Sequence, residues 1–467
     1  MSSLLVKKGC LIFLMLIIGQ VAFSQLYIKH DRKVDDFQSP DFSLDSLSIE
    51  KELSLKYVPL RKDRKVVLVN AIEERFRYEL FDNEALGLFQ PDDNGYILQR
   101  LSLINDLYFG NHIRLFSQLE SAIISGRADG IRPGIDRNNL DFHQLFVETA
   151  WRKGDWSTGF RIGRQEYLQP IRVNTPRYGT NVQLSFDAIR WFLNYRQLNL
   201  ETSYGLPSVN NPGVFDEFDL SEENERFWNV ILGEDELLLG TLDVYLHYYG
   251  IKRKDANYNG IIADERRHSF GLSVFSEPGS LFDFDIEAIY QTGTFGDRNI
   301  AAWFVGSEAK YTFQRAGGKP SFGILAHVGS GDRNDSDAVN TFYGIYSELK
   351  YGGNIYVIST FSNTVQIHPE LVINPSDKLS IAAKYDMFWR TSKDDAAYWV
   401  LQTPFRMDPN ARSSKIGDML SIGIDYQLSE HLKIGGDFIT FYSDDFIEEI
   451  GPAGNVQYAS FELSFYY

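Results

Sequence analysis

Cysteine is almost missing from this 467-residue sequence, and the single one, Cys10, lies near its start. It precedes a short apolar run, residues 11–18, which follows Lys7 and Lys8 and leads to Ala22-Phe23-Ser24. A basic start, a short apolar stretch and small residues before a cut predict an export signal over residues 1–24. The run is too short to span a membrane. A lipoprotein cysteine would follow the run, and Cys10 comes before it. The exported chain is then cysteine-free, which excludes disulfides and thiolate metal sites.

Other absences narrow the class further. After residue 25 no stretch approaches the ~20 apolar residues of a membrane helix, and helical periodicity is nearly lacking. The histidines, at 30, 112, 143, 247, 268, 327, 368 and 431, show no metal-ligand spacing such as HExxH. There is no GxSxG elbow. Gly329-Ser330-Gly331-Asp332 is not followed by lysine or a helix and is no phosphate cradle. No catalytic residue, metal, cofactor or nucleic-acid partner is expected. One calcium-like pattern stands out, Asp255-x-Asn257-x-Asn259-Gly260 with Glu265 after it. That acid arrives one place early for the helix-flanked calcium loop, and a polar outer loop gives the same letters.

What is present is aromatic residues, 14% of the chain with 26 Tyr and 34 Phe, and strict two-residue alternation. From residue 72 onward about 18 segments of roughly 8–14 residues alternate, a length that suits a tilted membrane strand. Their connections alternate short and long. Short ones include Gly110, Lys153-Gly154-Asp155 and Ser429-Glu430; long ones include 83–95, 166–184, 205–225, 251–266, 291–300 and 329–359. Short periplasmic turns and long outer loops predict an all-β transmembrane antiparallel barrel over residues 71–467 in the bacterial outer membrane. Residues 25–70, of mixed charge, form a periplasmic lead-in. The last strand puts Phe461, Leu463, Phe465 and Tyr467 toward lipid and Ser460, Glu462 and Ser464 inward.

The formal charge is −17. Loops 205–225 and 443–455 carry ten acids and no base between them, so the net charge describes the outer rim more than the lumen. Parity assigns the faces of the strands. With Phe76, Tyr78 and Leu80 toward lipid, Arg75, Arg77 and Glu79 face inward. The same rule turns Arg100, Ser102 and Asp106 inward, then Arg114, Gln118 and Glu120. It does the same for Arg161, Arg190, Lys384, Asp386 and Arg390. A lipid-facing charge costs roughly 2–4 kcal/mol near the midplane. Each inward arginine has a plain structural role available, as a partner to a neighbouring acid. As a group on the first six strands they predict a basic wall that guides anions. The loop 166–184 carries Arg172 and Arg177 and only one acid, Glu166, which suggests a constriction. Arg164 breaks the parity of its strand, so a bulge or the strand end falls there.

The run Arg161-Ile162-Gly163-Arg164-Gln165-Glu166, then Arg172, Arg177, Asn181 and residues 185–190, resembles the core of the alginate export family. So do His368-Pro369, Asn374-Pro375, residues 379–390 and residues 395–398. The resemblance covers roughly residues 70–467. It implies an 18-stranded monomeric barrel whose electropositive constriction passes an anionic polysaccharide outward; either the gradient or a periplasmic export partner would drive the passage. Carried over residue by residue, Arg161, Arg164, Gln165, Glu166, Arg177, Asn181 and Asp187 match the motif. Tyr167-Leu168 departs from the small residue expected at the strand-end turn. Other readings of the architecture are a general anion-preferring uptake porin, an adhesin using its aromatic loops, and an outer-membrane enzyme using its carboxylates.

Overall fold

Inside a bilayer, backbone N–H and C=O groups find no water, so a spanning sheet must satisfy every one of them internally. The computed structural model describes residues 56–63, 65–88, 94–132, 134–167, 180–217, 224–236, 242–276, 281–346, 361–398, 404–408 and 410–467. A short strand, β1 (Tyr57–Pro59), leads into the wall. The wall runs β2 (Val66–Asp82), β3 (Tyr96–Phe109), β4 (Ile113–Ser125), β5 (Asn138–Lys153), β6 (Trp156–Gln165) and β7 (Phe186–Tyr195). It continues with β8 (Leu198–Pro207), β9 (Glu225–Glu236), β10 (Leu242–Tyr258), β11 (Ile261–Ser276), β12 (Phe282–Phe295) and β13 (Arg298–Thr312). Next come β14 (Ser321–Gly329), β15 (Thr364–Ser376) and β16 (Leu379–Arg390). A small hairpin, β17 (Ala397–Tyr398) and β18 (Pro404–Arg406), interrupts the wall before β19 (Lys415–Ser429), β20 (Leu432–Ser443) and β21 (Val456–Tyr466).

Each wall strand pairs antiparallel with its neighbour, and β2 closes on β21 from Glu73↔Tyr466 to Asp82↔Gln457. The result is a closed barrel of 18 strands with no exposed edge. Below the closure, β1 pairs with Val67–Val69 on the length of β2 that β21 does not reach. Exposure alternates as a tilted membrane strand requires. Phe160, Ile162, Ile189, Tyr204, Val230, Leu246, Phe270, Ile286, Trp303 and Phe461 are exposed on the outside. Their chain neighbours Arg161, Arg190, Ser203, Asn229, His247, Ser269, Glu287 and Ala302 are buried inside. The export signal, Arg172, Arg177 and most of the lead-in lie outside the described residues.

Two expected outer loops are strand instead. β10 and β11 pair up to Tyr258↔Ile261, and β12 and β13 up to Phe295↔Arg298. The alternation used to find strands reports an apolar face, and these hairpins rise past the lipid where no such face is needed. Asn259 and Gly260, at φ 51° and 76°, form the two-residue turn that twisted hairpins favour. That use of Asn-Gly displaces the calcium reading. Asn257 Oδ1 accepts from Gly260 N at 3.0 Å, and Glu265 is held by Arg253 and Arg267. Among the described residues no cluster of acids and histidines suits a metal ion.

Phe160 lies on the lipid face of β6, so Phe160→Arg is expected to destabilise the barrel by about 2–4 kcal/mol, read from urea unfolding out of lipid vesicles. A cost below about 1 kcal/mol would place this position at a wetted interface, away from the midplane.

Candidate functional site

The outer end of β6 is built around Gly163, whose φ of 128° favours glycine. Pairing to β5 continues in register through Arg164 and pairing to β7 through Gln165, so the break in parity marks the strand end and no bulge forms. Arg164 grips Asp187 with two parallel bonds, Nε to Oδ1 and Nη2 to Oδ2, each 2.9 Å. Its Nη1 reaches Glu217 Oε2 at 2.9 Å and its Nη2 the Glu217 carbonyl at 3.0 Å. Burial and neighbouring Asp141 push the Glu217 carboxyl up to about 8, against the pull of Arg164. Gln165 Nε2 donates to the carbonyls of Gly163 and Ala188, both at 3.0 Å. Glu166 accepts from His143 Nε2 at 2.6 Å when that nitrogen carries the proton. The motif residues therefore fasten a strand end, a rim loop and the start of the 166–185 connection.

A line of register partners circles the inner wall through Arg114, Glu148, Arg161, Arg190, Ser203, Asn229, Tyr249, Ser269 and Gln291. Its cations are all compensated. Arg114 holds Asp106 at 2.7 and 2.8 Å. Arg161 pairs with Glu148 and sits 4.3 Å from the Phe146 ring centre. Arg190 Nη2 meets Glu201 Oε2 at 2.6 Å and lies over Tyr167. Arg161 and Arg190 stand directly opposite, which like charges tolerate only when carboxylates flank them. Arg114, Arg161, Arg164 and Arg190 have side chains only 1–3% exposed. As placed, these four brace the wall and present no surface to a solute, against the expectation of a pore lining.

Arg75 and Arg100 differ. They are register neighbours on β2 and β3, and both donate to the carbonyl of Thr180 at 3.4 Å. Arg75 also donates to Asn181 Oδ1 at 3.2 Å. The amide of Asn181 donates to the carbonyls of Gln99, Ile123 and Asp136 at 3.3, 3.3 and 2.9 Å. Thr180 and Asn181, at the described end of the connection before β7, thus lie against β2, β3 and β4. Among the described residues the two guanidiniums are met mainly by neutral acceptors, with the carboxylate of Glu73 3.6 Å from Arg100.

A second inward loop, residues 330–346, gave no signal in the sequence. The Thr341 carbonyl accepts from Arg267 at 3.0 Å, and the Tyr343 backbone exchanges bonds with Gln291 at 2.8 and 3.0 Å. Arg253 lies 3.8 Å from the Tyr343 ring centre. Tyr346 meets Phe186 and Phe227 edge-on, and Tyr167 meets the same two rings. The two loops therefore join across β7–β10. Asp395 anchors the second one. It accepts from Asp332 N at 2.7 Å, Thr341 Oγ1 at 2.6 Å, Tyr398 OH at 2.7 Å and Ala396 N at 2.8 Å. Burial raises its carboxyl above the usual range although these donors oppose the shift. Parity on β11, with Phe270 and Leu272 outside, would have found Arg267. Nothing in the letters marks 330–346 as inward.

Arg390, expected on the inner wall, lies at the rim. It donates to the carbonyls of Lys393, Asp395 and Ser413 at 3.0, 3.0 and 2.6 Å and covers Phe446 of the short helix Asp445–Ile450. It is a rim fastener. Water reaches charged inner side chains along β15, β16, β19, β20, β21 and β2. There Lys384 is 36% exposed and Lys433 35%, and Arg77 is 16% exposed between Glu462 and Asp437.

A closed barrel with a lipid-compatible exterior, a polar interior and inward loops defines a channel of the bacterial outer membrane. The chain belongs to the alginate export family, whose sequence pattern matches residues 67–455. No curated protein matches it in sequence. In fold it is similar to OccAB1 of Acinetobacter baumannii, with a TM-score of 0.58 at 11% identity over 86% of this chain and 96% of that one. Two Pseudomonas aeruginosa barrels are similar as well. OpdK, solved with vanillate, has a TM-score of 0.57 at 11% identity, covering 85% and 98%. OccK9 (OpdG) has 0.57 at 13%, covering 85% and 98%. Membership of the family indicates a channel.

Removing the anchor should loosen the second loop. Asp395→Ala strips the acceptor from four donors, at about 1–3 kcal/mol for each one left buried and unpaired. Liposomes carrying this variant are expected to swell faster with large neutral sugars than those carrying the parent. Identical swelling would mean that the loop stays in place without its anchor.

Proposed function

We propose that this barrel passes an anionic polysaccharide, an alginate-like or other acidic exopolysaccharide, outward across the outer membrane. The observation that carries this reading is membership of the alginate export family over nearly the whole barrel. Supporting it, Arg77 and Lys384 lie on the inner wall in reach of water, and Arg75 and Arg100 are buried beneath the first inward loop, held largely by neutral acceptors that a carboxylate would outbid if the loop moved aside. Two inward loops narrow the lumen on the side of β3–β12, which leaves an extended chain as the solute shape that fits. The barrel works as a monomer in lipid with a periplasmic partner supplying polymer. Uptake of small anions is the second reading, favoured by the likeness to OpdK, which was solved with the carboxylate vanillate.

Planar-bilayer recording separates the two. Polyuronate is expected to block an anion-preferring current at concentrations where a neutral glucan of equal length does not. Cation preference, or equal block by both polymers, would defeat the reading. Block by small carboxylates alone would turn it toward uptake.

A further inference from the structure

The periplasmic mouth carries a cavity that neither the motif nor the arginine wall explains. Its volume is about 530 Å³, within the range of small-molecule sites. Among its lining residues are Lys319, Asp377, Lys378, Ser380, Asp425 and Lys433. They come from the short connections after β13 and β15 and from the lower ends of β16, β19 and β20, the end of the barrel where β2 begins and β21 finishes. Asp425 and Lys433 lie on the inner face, because Ile424, Tyr426 and Phe438 hold the lipid face of the same strands. The cavity therefore opens into the lumen.

Charge gives it a direction. Lys433 Nζ is 2.8 Å from Asp425 Oδ1. Lys319 and Lys378 are exposed and make no ion pair among the described residues. From Lys433 the register runs to Ser464, then Arg75, then Arg100. One cross-strand line thus links the cavity to the two arginines that hold the first inward loop. Its foot, Lys433, is in reach of water, while Ser464, Arg75 and Arg100 farther along are buried, the last on β3 beside the packed side of the wall.

We infer that this cavity is the first docking site for a carboxylate-bearing saccharide, held by Lys319, Lys378 and Lys433 at the foot of a cationic line leading to Arg75 and Arg100. The inference rests on the proposed export of an acidic polymer. Lysine suits the place, since its ammonium is a hydrated point charge without the planar fork that clasps a carboxylate. Contacts of that kind capture an anion and let it go, as conduction requires. Asp377 and Asp425 keep the site from binding too tightly, and Asp425 gives up Lys433 when a uronate carboxylate arrives.

The test uses the full-length barrel in planar bilayers, with hexagalacturonate added to each side in turn and maltohexaose as the neutral control. The parent is expected to be blocked by hexagalacturonate more strongly from one side. In the double variant Lys319→Gln, Lys378→Gln that one-sided block should weaken about tenfold, near the value of a single charge-assisted contact. Block from the other side and passage of maltohexaose should not change. A parent blocked equally by both sugars overturns the proposed function and this site with it. A parent blocked selectively, with the same block in the double variant, overturns the docking site alone.

Discussion

Lipid offers nothing to an unpaired peptide group, and most of this molecule follows from that. The chain must close β2 onto β21, because any open edge would leave a row of bare donors and acceptors in hydrocarbon. Closure then fixes the side chains. Every second residue faces lipid and must be apolar, so the charged residues have one direction left. The crowd of arginines inside is first a consequence of geometry and only afterwards an opportunity for function.

Once inside, a charge must be either wet or paired. The barrel uses both solutions, on opposite sides. Along β3–β7, Arg114, Arg161 and Arg190 are sealed beneath aromatic rings and matched to Asp106, Glu148 and Glu201. Such pairs stiffen the wall against which the loops pack. Along β15–β21 and β2 the pairs Lys384–Glu370 and Lys433–Asp425 stay in reach of water and keep their freedom to exchange. Rigidity and exchange are thus divided between two arcs of one wall.

That division also sets what could be read in the letters. The strands, their faces and the inward direction of Arg75, Arg77, Arg100, Arg114, Arg161 and Arg190 were legible, because lipid imposes a period of two on the sequence. The hairpin tips at 251–266 and 291–300 were misread, since the period fades where lipid ends. The inward path of residues 330–346 was invisible for a related reason. A loop held by backbone carbonyls, as Thr341 and Tyr343 are, leaves no demand on residue type. Whether an arginine braces or lines depends on what covers it. For Arg161 that is Phe146, a contact across two strands that no local pattern encodes.

The acids on the inner wall fit the export of a polyanion better than they first suggest. A polymer presents many identical charges, and a wall of uncompensated arginines would hold several at once. Binding strengths then multiply through effective concentration, and the chain would stall. Placing Glu462 and Asp437 beside Arg77, Glu370 beside Lys384 and Asp425 beside Lys433 makes each attraction a contest between two carboxylates, one on the wall and one on the chain. The energy of each step is then a small difference and no longer a full ion pair. On the proposed reading, paired charges along the wetted arc are what would let an acidic chain slide.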